Sequence, residues 1–196
     1  PALQPIPHSP MILVAGEALI DLLPREGAAG QPLLEPVPGG SPFNVALALG
    51  RLGQPVRFLC PLSRDAFGDR LAATLRESGV DLDGCRRTAA LSTLGFVTLD
   101  PGTRSARYAF YTEGTAGCAL TVDDLPEPLP EEVEAIHVGS FSLAVEPFGT
   151  AVETLVRERA GGRFVAYDPN LRPFRVTDRQ RLMTRHRAIA ARADLL

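Results

Sequence analysis

Residues Gly39-Gly40-Ser41-Pro42-Phe43-Asn44-Val45-Ala46-Leu47-Ala48-Leu49-Gly50-Arg51-Leu52-Gly53 constrain this chain more than any other stretch. Paired glycines permit positive φ and a close backbone approach. Ser41 is a strong N-cap type, and Pro42 suits the first helical position, where its missing N–H costs nothing. Phe43, Ala46, Leu47 and Gly50 recur at helical spacing, and Gly53 offers a left-handed stop. The pattern predicts a glycine turn opening onto a helix N-terminus, with unpaired amides and the positive end of the helix dipole. Asn44, one turn in, carries an amide that both donates and accepts. Such a turn either merely starts a helix or forms the floor of a polar-ligand site.

The flanking segments alternate between strand and helix patterns. Met11–Gly16, Pro55–Cys60, Ala135–Gly139 and Arg163–Asp168 are short apolar runs of the kind buried on both faces of a sheet. Between them lie helical stretches near 66–78, 147–160 and 178–193. The first uses Phe67, Leu71, Thr74, Leu75 and Ser78, with capping groups at Ser63-Arg64-Asp65 and a stop at Gly79. The second uses Phe148, Val152, Leu155 and Val156, and the third Leu182, His186, Ile189 and Ala193. This rhythm predicts an α/β fold, a mostly parallel sheet flanked by helices. Two segments break it. Residues 24–38, with four prolines, predict a loop or edge strand. Thr93–Leu99 and Arg104–Tyr111 flank Asp100-Pro101-Gly102-Thr103 and predict a hairpin. Ala193–Leu196 predicts a helix end entering another strand, and residues 1–10 a flexible leader.

Composition removes several function classes. All 20 basic residues are arginine, so neither a Walker A lysine nor Schiff-base chemistry is available in this sequence. A net charge of −3 argues against broad binding to nucleic acid or anionic membrane, and no apolar run is long enough to span a bilayer. Cys60, Cys85 and Cys118 form no Cys-x-x-Cys pair and predict reduced thiols in a cytoplasmic protein. The three histidines show no metal-ligand spacing. Dinucleotide and α/β-hydrolase glycine motifs are also absent from the sequence.

Ligands of open α/β sheets gather at the carboxyl ends of strands. Three polar features are expected at such ends: Asp21, the Gly39–Asn44 turn, and Asp168-Pro169-Asn170-Leu171-Arg172. A carboxylate, an amide and backbone N–H groups in one crevice suit a polyhydroxylated molecule, and Arg172 adds a cationic fork.

These residues resemble a known family. Gly39–Ala46 with Leu49–Gly53 is similar to the first signature of the ribokinase-like (PfkB) carbohydrate kinases. Val14–Asp21 resembles that family's first strand and substrate aspartate. Arg64-Asp65-Ala66-Phe67-Gly68 resembles its Asp-x-Phe-Gly segment, although Ser63 stands where glycine is usual. Asp168–Pro173 resembles the version in bacterial fructokinases and 2-keto-3-deoxygluconate kinases. The resemblance implies a small β-sheet lid, with strands from about 24–38 and 93–112, over a sugar site. It implies sugar-binding roles for Asp21, Gly39, Gly40 and Asn44, pocket walls at Phe96, Phe110 and Phe141, and a substrate or phosphate contact at Arg172. It further implies ATP and Mg2+, a homodimer formed through the lid, and phosphorylation of a small sugar by the complete protein. Thr112 stands where sugar-acid kinases carry an arginine, which favours a neutral sugar such as fructose over 2-keto-3-deoxygluconate; ribose is a further alternative.

The family's second signature, Asp-Thr-x-Gly-Ala-Gly-Asp, carries the catalytic base and anion hole. Neither it nor the Asn-x-x-Glu segment associated with magnesium occurs in this sequence. The resemblance therefore places the base, the C-terminal part of the fold and much of the nucleotide site beyond Leu196. A non-catalytic sugar sensor would use the same pocket without that aspartate.

Overall fold

A computed structural model describes residues 10–99, 102, 106–170 and 178–196. Strands β1 (Met11–Ala15), β4 (Val56–Leu59), β9 (Val133–Gly139) and β10 (Phe164–Asp168) form a parallel sheet in the order β10-β9-β1-β4. Their near-continuous apolar runs are buried on both faces: Leu13, Val14, Ala15, Phe58, Leu59, Ile136, Val138 and Val165 are almost wholly inaccessible. Each large apolar side chain buried there contributes roughly 1.5–3 kcal/mol. Beyond β10, Leu195 forms an isolated parallel bridge to Ala166, and its carbonyl accepts from the Tyr167 amide at 2.9 Å. The entry into another strand at 193–196 is therefore present.

Among the described residues, four α-helices pack around this sheet. Helix α1 (Ser41–Arg51) buries Pro42, Phe43, Ala46 and Leu47, with Phe43 meeting Phe58 edge-on at 6.1 Å. Its cap differs from the expected one. Gly40 rather than Ser41 is the N-cap, and no side chain caps the helix. Pro42 accordingly occupies the second helical position. Helix α2 (Ala66–Glu77) is capped by Asp65, whose carboxylate accepts from the Gly68 amide at 2.8 Å. It buries Gly68, Leu71, Ala72 and Leu75, while Phe67 and Thr74 of the expected stripe are only half-buried.

Helix α3 (Phe148–Thr154) widens into a π-helical stretch over Leu155–Arg159, burying the four apolar residues expected of it. Helix α4 (Arg179–Ala190) stops three residues short of the expected end. It is tied to α3 by Arg185, 3% exposed, whose guanidinium reaches Glu146 at 2.6 Å, Glu153 at 3.3 Å and the Leu143 carbonyl at 2.5 Å.

A second sheet stands apart from the first. Strands β2 (Leu19–Glu26), β3 (Pro32–Gly39), β7 (Thr93–Leu99) and β8 (Ala106–Tyr111) run in the order β3-β2-β7-β8. The pairs β2–β3 and β7–β8 are antiparallel, and β2–β7 is parallel. The expected edge strand and hairpin are thus neighbours in one sheet. The two-residue strands β5 (Leu62–Ser63) and β6 (Arg87–Thr88) pair separately. Burial along β2 fades from Leu19 and Ile20 to an exposed tip at Pro24–Glu26, so this ribbon rises out of the core. Its tip is crossed by an exposed Arg25–Glu35 pair at 2.6 Å, worth about 0–1 kcal/mol. No helix among the described residues is long and apolar enough to cross a membrane. The expected leader at 1–10 falls almost wholly outside the described residues.

Candidate sugar-binding cleft

Between the second sheet and the N-terminus of α1 lies a cleft of about 500 Å³. The sheet contributes Leu19, Asp21, Tyr108 and Phe110. Helix α1 and its cap contribute Gly40, Ser41, Asn44, Val45 and Ala48. Ser140 and Phe141 enter just after β9, Asn170 just after β10, and Glu17 from the link between β1 and β2.

Gly40 makes the floor. Its φ of 115° and ψ of 136° disfavour any residue with a side chain, and an added Cβ would stand 2.5 Å from the Glu17 carbonyl oxygen. The chain can therefore turn from β3 straight into α1, leaving Asn44 exposed one turn along. Asp21 makes one wall. It lies inside β2 and not at the end of a core strand, because the strand continues to Glu26 as part of the second sheet. Its carboxylate is seated against Gly39 and Gly95: a Cβ on the first would be 2.5 Å from Oδ2, and on the second 2.7 Å from Oδ1. Among the described residues no donor reaches this carboxylate, and burial raises its pKa. An acceptor pair without protein donors at a cleft wall is suited to ligand hydroxyl groups.

Aromatic rings continue this wall, with Phe110 beside Asp21 across Gly95. Tyr108 and Phe110 stack at 5.6 Å and 6°, and Phe110 meets Phe141 at 4.9 Å. The resemblance named Phe96 as a third wall, and the structure does not bring it there. In the β7–β8 register Phe96 opposes Ala109, whereas Gly95 opposes Phe110. Alternation then turns Phe96 to the other face of the sheet, where it packs on Tyr111 at 5.1 Å. Arg172 lies outside the described residues. Gly39 is near the cleft through its contact with Asp21 rather than as a lining residue.

Three contributors escape a reading of the sequence. Tyr108 follows from strand alternation once Phe110 is placed. Ser140 has φ 69° and ψ −168°, a region that costs a residue with a side chain about 1–3 kcal/mol, and its amide donates to the Asp168 carbonyl at 2.9 Å. Glu17 is only 1% exposed. Burial pushes its carboxyl pKa up, while hydrogen bonding from the Ser140 and Ser142 side chains and the Glu17 and Ser41 amides pulls the other way. The available signal was an acid set in the otherwise apolar run Met11–Ile20.

Two carboxyl groups and no cationic side chain line the cleft among the described residues. Among the described lining residues, the only feature that favours negative charge is the helix N-terminus at the floor. No group of three or more His, Cys, Asp or Glu among the described residues could hold a metal ion. The expected magnesium therefore finds no site in the described part of the chain.

Comparison with known proteins agrees with this architecture. The fructokinase of Rhizobium leguminosarum bv. trifolii is 44% identical over 186 residues, covering 95% of this chain and 56% of that relative. Fructokinase-1 of Zea mays is 36% identical over 192 residues, covering 95% of this chain and 59% of the relative. The crystal structure of a Xylella fastidiosa fructokinase with bound ATP superposes with a TM-score of 0.83 at 30% identity, over 94% of this chain and 56% of that one. The chain thus spans between half and two thirds of the length of these relatives, and its fold is the ribokinase-like α/β class. The model of the pfkB family of carbohydrate kinases matches residues 9–196, and the chain belongs to that family.

Proposed function

We propose that the complete protein transfers the γ-phosphoryl group of ATP to a hydroxyl group of a small neutral sugar, with fructose as the substrate. The observation that carries this reading is the cleft itself: an unpartnered Asp21 carboxylate faces the amide-bearing start of α1 across a space with no cationic side chain among its described lining residues. The relatives named as fructokinases support the choice of sugar, and the neighbour solved with ATP supports the donor. Thr112, standing where the sugar-acid kinases carry an arginine, also favours a neutral sugar over a keto-acid.

In this scheme Asp21 accepts hydrogen bonds from sugar hydroxyls, and Asn44 both gives and takes them. Tyr108, Phe110 and Phe141 cover the apolar face of the ring, and the second sheet acts as the lid that excludes water. Phosphoryl transfer depends chiefly on such positioning together with charge neutralisation. Magnesium would supply that neutralisation when bound; no described residue here is assigned to it, and none is assigned as the base. We place the protein in the cytoplasm, and we place a homodimer contact on the lid, where Leu33, Leu34 and Tyr111 leave apolar surface exposed. Analytical ultracentrifugation across a concentration series tests the dimer, and a single monomer boundary throughout excludes it.

The deciding measurement is a coupled ATP-consumption assay on the complete protein with fructose, ribose and 2-keto-3-deoxygluconate. Fructose should give the highest kcat/KM; faster use of either competitor overturns the substrate assignment. Asp21→Ala should raise the sugar KM about tenfold or more and leave the KM for ATP nearly unchanged. Equal rises in both would remove Asp21 from the sugar site.

A further inference from the structure

The scheme above leaves one carboxyl group of the cleft without a task. Glu17 lines the cleft at its back, is almost wholly buried, and has no hydrogen-bond partner at Oε2. Buried polar atoms without partners are rare in folded proteins and each calls for a cause. Ser140, which lines the same cleft, holds a backbone conformation that residues with side chains avoid. Strain of this kind gathers where a ligand is held.

We propose that Glu17 is a second sugar-holding carboxyl group, its Oε2 pairing with one particular hydroxyl of the bound sugar while Asp21 serves another. The inference rests on the reading of the cleft as a sugar site. The two acids enter from different elements, Glu17 beneath the start of α1 and Asp21 from the lid strand β2, so together they would grip the sugar from scaffold and lid at once. The Ser140 and Ser142 side chains and the Ser41 amide engage the Glu17 carboxyl, and Oε2 is the part they leave over. Burial favours the uncharged acid, which can either donate to or accept from a hydroxyl. A neutral polyol offers both kinds of partner.

Isothermal titration calorimetry with D-fructose and its monodeoxy analogues tests the assignment on the complete protein. Glu17→Met, which keeps the length and removes the polar atoms, should weaken fructose binding about tenfold or more. Glu17→Gln, which preserves an uncharged donor and acceptor, should recover most of that loss. One monodeoxy analogue should bind the natural protein weakly and lose nothing further in Glu17→Met, because the hydroxyl served by Glu17 is already gone. The same loss for every analogue overturns the proposal, since a packing role has no preferred hydroxyl. A measurement that needs no substitution is the carbon-13 resonance of the Glu17 carboxyl, which should shift on saturation with fructose; an unmoved resonance also overturns it. If the natural protein binds no sugar, the sugar-site reading falls and takes this inference with it. Binding that ignores Glu17 removes the inference alone.

Discussion

The two sheets of this molecule handle the same physical problem differently. The parallel sheet is covered on both faces, so its strands are mainly apolar, with Arg57, Glu134 and His137 as polar exceptions along them. The second sheet, the lid of the proposed function, is rooted in the core at Leu19 and Ile20 but reaches into solvent, so its strands can carry a carboxylate on one face and aromatic rings on both. The first can support a site and the second can read a ligand. The cleft lies where the two meet, at Gly40, Glu17 and Ser140. Stability should therefore be concentrated in the parallel-sheet scaffold, and ligand affinity in the lid and the junction.

Arg185→Met offers the strongest test of the scaffold side. It removes the buried cation shared by Glu146 and Glu153, leaving them only the more exposed Arg181 and Arg157, and takes the guanidinium donor from the Leu143 carbonyl. Urea unfolding should show a loss of about 3 kcal/mol, with sugar affinity of the folded fraction unchanged. A collapse of affinity at full stability would erase the distinction between the two regions. Gly40→Ala acts at the junction. Its left-hand-side φ and the close Glu17 carbonyl should cost about 1–3 kcal/mol by the same measurement, accompanied by weaker fructose binding in calorimetry. Normal binding would show that the floor is not set by this turn.

Asp21→Asn should reverse the balance, weakening fructose about tenfold without loss of stability. The pH dependence has a definite sign. Because burial raises the Asp21 pKa in the native state, the folded protein binds more protons than the unfolded chain at pH values above the ordinary 3.8. Its ionisation therefore removes stability as the pH rises through that window. Thermal melts without sugar should find Asp21→Asn at least as stable as the natural protein at pH 8, with the advantage gone once the pH falls below 3.8. A variant destabilised at pH 8 would mean that the carboxylate has a structural partner. The smallest effect belongs to Tyr111→Ser. Tyr111 is 62% exposed on the face of the second sheet turned away from the cleft and packs on Phe96, so the folded monomer should lose about 1 kcal/mol or less and its affinity for sugar should not change. A clear loss of affinity would show that the outer face of the lid also reads the sugar.

The sequence by itself determined the core strands and main helices, the parallel character of the main sheet, the hairpin and the place of the helix opened by Gly39–Pro42, because apolar periodicity and glycine–proline punctuation act locally; it left 24–38 open between loop and edge strand. The residues themselves singled out Asp21, Gly40 and Asn44, the family resemblance added Phe110 and Phe141, and the structure gathers all five in one cleft. Tertiary structure alone decided the rest. Phe96 and Phe110 look equivalent along the chain, yet the hairpin register puts them on opposite faces, and register depends on how the two strands meet. Asp21 reads as the end of a core strand until the pairing of β2 with β3 and β7 carries it into the lid. Ser41 is the better capping residue by type, but the close approach of Gly40 to Glu17 moves the cap one residue earlier. Glu17 and Ser140 are more than a hundred residues apart, and only the adjacency of β1 and β9 in the parallel sheet brings them to the same cleft.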